Sequence, residues 1–213
     1  MFAINSDAAR FKNCWDDAKL EGNDIMVVEG VLSPSDCERC IKIADSIPNG
    51  WQTSITVGEA QANKLDEASS RKRVSDQFTV GSHLLTHPHI VHPMDRAFFI
   101  AFNNAVNHYS RLIGDRFMID CDEGYSILRY GPGGKYEYHS DNGAASANTL
   151  RTLSALLYLN DSYEGGEIDF PRQKVKIKPK AGMLVMFPAV ANYRHASLPI
   201  VSGTKYTVVT WFK

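Results

Sequence analysis

Four cysteines in 213 residues are too few for a disulfide-held scaffold, and a chain of this length can bury a core without such staples. No apolar run approaches the ~20 residues that a membrane span requires. Basic residues do not outnumber acidic ones: the net charge is −1, so no broad cationic surface exists to neutralise the phosphates of a nucleic acid. Met1 to Asp7 runs into charged residues without the apolar stretch of a secretory signal, so a cytoplasmic protein with free thiols is expected. What remains is an ordinary globular composition, 44% hydrophobic and 22% charged, sized for one domain.

The N-terminal half reads as support. Ile25-Met26-Val27-Val28 has the β-branched character of a strand. Ser33-Pro34-Ser35-Asp36 then has the signature of a helix start: a serine N-cap, proline at the first helical position and an acidic residue three after the cap. Cys37-x-x-Cys40 could serve redox or zinc chemistry, but it continues as Ile41, Ala44 and Ile47 along one helical face. With no second cysteine pair to complete a zinc site, packing is the better reading. Residues 53–77 are polar and weakly periodic, a solvated face or a loop over a binding site. His83, His87, His89 and His92 form the densest histidine cluster, but Pro88 and Pro93 interrupt it and no cysteine joins it, so it is not expected to hold a metal. After Pro93 a helix is expected, with Phe98, Phe102, Ala105, Tyr109 and Leu112 as its buried stripe; His108 would lie at its surface or in packing.

From Tyr125 onward short strands alternate with turns: Thr152 to Leu159, Lys174 to Lys178, Met183 to Phe187, and Thr204 to Phe212. Such spacing argues a jelly roll. Within it, His139-Ser140-Asp141 places two metal-ligating side chains two apart on an extended strand, so both point the same way. His195, 56 residues on, would complete two imidazoles and one carboxylate, the set that leaves open positions on a non-haem Fe(II) centre. Lys205, ten residues beyond His195, shares a strand face with Thr207, Val209 and Trp211. A lysine on an inward face is costly unless it meets an anion.

These pieces resemble a known family. Tyr130-Gly131-Pro132-Gly133-Gly134 through His139-Ser140-Asp141, Ser154 through Asn160, Gly165-Gly166-Glu167, Phe187-Pro188, His195 and Gly203-Thr204-Lys205 are together similar to the 2-oxoglutarate- and Fe(II)-dependent prolyl 4-hydroxylases. The resemblance covers roughly the C-terminal 90 residues and is weaker before them. It implies an α+β fold with a mainly β core: a double-stranded β-helix flanked by N-terminal helices, all one domain. In that domain residues 1–120 supply helical support and a substrate loop, and residues 121–213 supply the core with the metal site.

The resemblance implies Fe(II) on His139, Asp141 and His195, and 2-oxoglutarate held by Lys205 and Tyr130, with Ser154 and Tyr158 extending that role. O2 is the other co-substrate and ascorbate a reductant. Arg151, Trp211 and Arg73 of Arg73-x-Ser75 match positions that would meet the substrate, a proline-containing peptide or protein. Surface arginine for Arg151 and plain core for Trp211 are the competing readings. The same chemistry on a lysyl residue, free amino acid or nucleobase is the alternative function; a non-catalytic jelly-roll binding module is another.

Overall fold

The computed structural model describes residues 14–54, 72–114, 116–142 and 150–213. After a 3-10 turn at Trp15–Asp17 come strands β1 (Lys19–Glu21) and β2 (Ile25–Val28), then helix α1 (Pro34–Ser46). Short strands β3 (Gln52–Thr53), β4 (Arg73–Val74) and β5 (Asp76–Thr79) lead into helices α2 (Val80–Leu84) and α3 (Pro88–Ile113). Strand then dominates: β6 (Ser126–Tyr130), β7 (Lys135–His139), β8 (Leu153–Tyr158), β9 (Tyr163–Gly165), β10 (Ile168–Phe170) and β11 (Val175–Ile177). The chain closes with β12 (Leu184–Pro188), β13 (His195–Ser197), β14 (Ile200–Gly203) and β15 (Lys205–Phe212).

The start of α1 follows from its sequence. Ser33 Oγ accepts from the Asp36 amide at 3.1 Å and donates to Asp36 Oδ2 at 2.6 Å, so cap and first-turn acid satisfy each other. Cys37 and Cys40 are fully buried on its inner face, as packing. Helix α3 departs from expectation at both ends. It begins at Pro88 and runs through Pro93, which sits within its second turn. The missing amide there would have met the carbonyl of His89, and His89 is exposed, where water can serve that carbonyl. At the other end Leu112 is exposed and Ile113 buried, because the step of four from Tyr109 keeps Ile113 on the stripe.

Eight strands form the major sheet in the order β1-β2-β12-β8-β15-β6-β5-β3, and five form the minor sheet, β11-β10-β13-β7-β4. Strands β14 and β9 make a separate ribbon. The result is the open jelly roll that the strand spacing predicts. The end of the polar 53–77 stretch is not loop: Arg73–Val74 pairs with β7 and Asp76–Thr79 with β6, because these residues complete backbone ladders that would otherwise end unpaired. Residues 55–71 of that stretch lie outside the described residues.

The core has three parts. The outer face of the major sheet packs under the helices, with Ala155, Leu157, Met186, Val208 and Phe212 against Phe98, Ala101, Phe102 and Cys37. Between the sheets lie two separate apolar clusters: Tyr158, Val185 and Phe187 against Ile168 and Phe170, and Leu128, Tyr130 and Val209 against Tyr163 and Ile200. The turn at 131–134 carries the chain from one sheet to the other between β6 and β7. Gly133 there has φ of 77°, and a Cβ on Gly134 would lie 2.7 Å from the Gly131 carbonyl oxygen, so both positions require glycine.

Candidate active site

Strand pairing builds the centre of the site. β13 runs antiparallel to β7 with His195 opposite His139, so two imidazoles face one another across the minor sheet. Asp141 arrives differently from expectation. β7 ends at His139, and Asp141 lies in the bend beyond it, not on the strand. That bend is fixed when the Asn142 amide donates to the Ala189 carbonyl at 2.9 Å, which carries the carboxylate back toward the two rings.

The three ligating atoms lie within 4.8 Å of one another. His139 Nε2 is 3.3 Å from Asp141 Oδ1, and His195 Nε2 is 3.7 Å from Oδ2. Both rings use their other nitrogen in the same way: His139 Nδ1 bonds the Glu137 carbonyl at 2.7 Å and His195 Nδ1 bonds the Tyr193 carbonyl at 3.0 Å. A carbonyl only accepts, so Nδ1 carries the proton and Nε2 presents its lone pair to the centre. Burial pushes the His195 ring down to about 4 against the pull of Asp141, which keeps it neutral at physiological pH. Burial alone would raise the Asp141 carboxyl. The two histidines and the Ser154 hydroxyl nevertheless hold it well below the usual carboxylate range. A divalent metal requires neutral nitrogens and an ionised oxygen, and this donor set fits Fe(II) with positions left open.

Around these ligands the walls are aromatic. Tyr136 stacks on His139 with 3.6 Å between ring centroids, and Phe187 and Phe170 pack on His195 at 4.7 and 5.5 Å. The His139 side chain is 19% exposed, against 7% for His195 and 8% for Asp141, so the site opens on the His139 side.

Lys205 lies at the deep end, 2% exposed. Its Nζ donates to the Gly166 carbonyl at 2.9 Å and to Ser197 Oγ at 2.5 Å, and stands 4.8 Å from the Tyr130 ring centroid and 6.0 Å from that of Tyr158. Burial lowers its ammonium to about 7, opposed by Glu167. Two of its three protons are taken by neutral oxygens, and among the described residues no acceptor takes the third, which an anion could use.

Ser154 sits elsewhere than beside Lys205: its Oγ donates to Asp141 Oδ2 at 2.6 Å. Arg151 stacks over Trp211, 3.6 Å from the ring centroid, and its guanidinium grips Glu123 at 2.7 to 3.1 Å while reaching the Asp141 carbonyl at 3.4 Å. Burial would raise the Glu123 carboxyl, but Arg151 holds it below its ordinary value. Arg73 lies over Tyr136 at 5.0 Å and, with Ser75, borders the Tyr130 hydroxyl. Arg73, Ser75, Gly131, Pro132 and Gly134 line a surface cavity of about 330 Å³. Ser197, Glu123 and Tyr136 are site residues that sequence reasoning passes over. Ser197 is visible in alternation, two after His195 on the same strand face; for Glu123 no local signal exists.

A family model described as the 2OG-Fe(II) oxygenase superfamily matches residues 125–213. A putative prolyl 4-hydroxylase of Acanthamoeba polyphaga mimivirus is 24% identical over 99% of this chain and 84% of that protein. Human prolyl 3-hydroxylase 2 is 38% identical over 71 residues, which are 31% of this chain and 10% of that protein. Among solved structures, a prolyl hydroxylase from Trichoplax adhaerens, in complex with a hypoxia inducible factor peptide, aligns with a TM-score of 0.71. It is 16% identical over 96% of this chain and 87% of its own. Residues 125–213 thus match the 2-oxoglutarate- and Fe(II)-dependent oxygenases, and the chain as a whole is similar to prolyl hydroxylases. The matching domain is that of an oxygenase using Fe(II), 2-oxoglutarate and O2, and His139, Asp141 and His195 form the group that could hold the iron.

Proposed function

We propose that this protein hydroxylates prolyl residues of a peptide or protein at the 4-position, consuming 2-oxoglutarate and O2 and releasing succinate and CO2. The carrying observation is the convergence of His139, Asp141 and His195 on one point, with Lys205, the one buried lysine or arginine among the described residues, bonded to Ser197 two residues from His195. A peptide substrate is supported by the peptide-bound Trichoplax relative, and the 4-position by the viral relative that matches nearly the whole chain. A cytoplasmic location is part of the same reading, in keeping with cysteines that form no disulfide among the described residues.

Iron bound with 2-oxoglutarate supplies the oxidising chemistry that inserts one oxygen atom into a C–H bond. The chain's own residues bind, orient and keep the site dry. Lys205 takes the far carboxylate of the co-substrate, and charge pairing there offsets the cost of burying the ammonium. The backbone carbonyls of Glu137 and Tyr193 fix both ligand tautomers. Phe170 and Phe187 exclude water behind His195. The open side, walled by Tyr136, Trp211 and Arg151, receives the substrate: an aromatic surface suits a pyrrolidine ring, and the guanidinium can donate to a peptide carbonyl.

The test is direct. Purified protein with Fe(II), 2-oxoglutarate and a library of proline-containing peptides should yield products one oxygen heavier, with 4-hydroxyproline after hydrolysis and one succinate per product. Oxygen on a lysyl residue, on a free amino acid or at the 3-position would replace the proposed substrate or regiochemistry. Succinate formation with no peptide oxidised would show the family chemistry with another acceptor.

A further inference from the structure

The carbonyls that hold His139 and His195 differ in footing. Glu137, whose carbonyl serves His139, lies within β7, and its own amide donates to the Lys72 carbonyl at 2.8 Å, so the sheet fixes it. Tyr193, whose carbonyl serves His195, closes a 3-10 turn at Ala191–Tyr193. That carbonyl lies before β13 begins, beyond the ladder of the minor sheet. A group that orients a ligating imidazole matters to the metal nearly as much as the imidazole does, so what fixes Tyr193 matters too.

The turn is gripped from outside. Gln173 Nε2 donates to the Asn192 carbonyl and Arg172 Nη1 to Asn192 Oδ1, both at 2.9 Å, but these bonds are exposed and act on the residue before Tyr193. Tyr193 itself packs against the apolar cluster of Phe170 and Phe187, and its amide donates to the Val190 carbonyl at 2.9 Å. Its hydroxyl donates to Asp24 Oδ2 at 3.2 Å, in a part-buried setting. With ring, amide and hydroxyl all tied, the direction of its carbonyl is set.

Asp24 reaches it from the turn between β1 and β2. Gly22, Asn23 and Asp24 have φ of 46°, 60° and 42°, three successive residues in a left-handed region that chains ordinarily visit singly. Such backbone persists only where its surroundings over-determine it. Here the Tyr109 hydroxyl donates to the Asp24 carbonyl at 2.6 Å, and Arg116 Nη1 stands 3.6 Å from Asp24 Oδ1. The turn also lies so close on the turn between β10 and β11 that a Cβ on Gly22 would be 2.5 Å from Val175 Cγ2. The strained turn thus presents its second carboxylate oxygen, Oδ2, to Tyr193. We propose that Asp24 is a positioning residue for the metal site: through the Tyr193 hydroxyl it holds the Tyr193 carbonyl where that carbonyl accepts the Nδ1 proton of His195. The β1–β2 turn, far outside the matched residues 125–213, is thereby part of the metal site. This rests on the reading of His139, Asp141 and His195 as a metal centre.

The experiment reads Co(II) binding without turnover, in the absence of O2. Tyr193→Phe removes only the hydroxyl, and Asp24→Gly removes the carboxylate while suiting the left-handed backbone. Each should weaken Co(II) binding about tenfold, the low end of the range for groups that orient a metal ligand. The double variant should lose no more than either single one, because both remove the same bond. Asp24→Asn keeps an acceptor oxygen and tolerates the same φ, so it should bind Co(II) within about twofold of the wild type. A role in folding alone would not move the second readout, the histidine nitrogen NMR shifts of the apo-protein. There the His195 signals, identified by their loss in His195→Ala, should show a mixture of tautomers in Tyr193→Phe and the Nδ1–H form in Asp24→Asn. Wild-type Co(II) affinity in Tyr193→Phe and Asp24→Gly, or an unchanged tautomer in Tyr193→Phe, would overturn the proposal. So would losses that add in the double variant, or a loss in Asp24→Asn equal to that in Asp24→Gly. If Asp24→Gly does not fold, Tyr193→Phe decides alone. His195→Ala is also the control for the underlying reading: if it binds Co(II) like the wild type, the metal centre is elsewhere and the failure is not Asp24's alone.

Discussion

The two faces of strand β15 are made from one stretch of eight residues and serve opposite purposes. Val208 and Phe212 point outward into a continuous apolar layer under the helices. Lys205, Thr207 and Trp211 point inward, where apolar packing is split in two and the gap carries a buried lysine, with a hydroxyl and an indole N–H that find no partner among the described residues. The outer face pays for the inner one: stability comes from the close-packed helix side, and the strained polar economy lies on the side that binds ligands. Changes on the two faces should therefore separate stability from chemistry.

The largest effect falls on the metal centre. Asp141→Ala removes the carboxylate that both histidine Nε2 atoms approach, and should abolish Fe(II) retention and turnover, a loss well beyond the roughly 10- to 100-fold seen for residues that only support a ligand. Anaerobic Co(II) titration and succinate assays check it; a variant that still holds metal at wild-type affinity would break the comparison. Next comes the outer face. Phe98→Ala, at a fully buried position on α3, should cost about 3 to 5 kcal/mol of stability in denaturant unfolding while the folded protein binds metal and 2-oxoglutarate normally.

These contrasts also mark what the sequence makes legible. His139 is legible through its spacing to Asp141, whereas His195, 56 residues on, joins it through donor chemistry and the family resemblance; β15's two faces follow from a period of two. Asp141 does lie with the two histidines, but not by the expected route: alternation places it on a strand, whereas a bend tied to Ala189 delivers it. The continuation of α3 through Pro93 depends on where water can reach a carbonyl, which no residue pattern encodes. Glu123, gripping Arg151 across 28 positions, and the partnership of Ser154 with Asp141 are tertiary facts. The strand pairing around Arg73 is likewise invisible in a polar stretch, since the pairing partner supplies the reason for the strand.

On the inner face the expected effects grade downward from Lys205. Lys205→Ala should leave metal binding intact and weaken 2-oxoglutarate by about 2 to 5 kcal/mol, the cost of leaving a buried carboxylate unpaired. Unchanged affinity would remove Lys205 from the site. Ser154→Ala should act on the other partner: metal affinity should fall about 10- to 100-fold as the Asp141 carboxylate loses its orienting bond, with Ser154→Thr restoring it. If instead Ser154→Ala lowers only 2-oxoglutarate affinity, Ser154 serves the co-substrate and not Asp141.

The smallest effect is a pH dependence that belongs to the inner face alone. Burial lowers Lys205 from the ordinary 10.5 to about 7, with Glu167 opposing the shift. An anion at this site requires the protonated amine. Below about pH 7 the ammonium is already present, and 2-oxoglutarate affinity should be nearly constant. Above it, each bound dicarboxylate must recruit a proton, so affinity should fall by up to about tenfold per pH unit. Without co-substrate the sign for stability runs the other way: between about 7 and 10.5 the unfolded chain holds more protons at this lysine than the folded one, so stability should rise with pH through that window. Calorimetric titration of Co(II)-loaded protein from about pH 6 to about pH 9, beside melting curves of the apo-protein and of Lys205→Met, checks both slopes. Opposite slopes in the wild type above about pH 7, with the stability slope flattened in the variant, would tie the cost of burying Lys205 to the anion it binds; an affinity that is flat above about pH 7 would mean that the lysine is neutral in the complex and that the co-substrate is held by hydrogen bonds instead of charge.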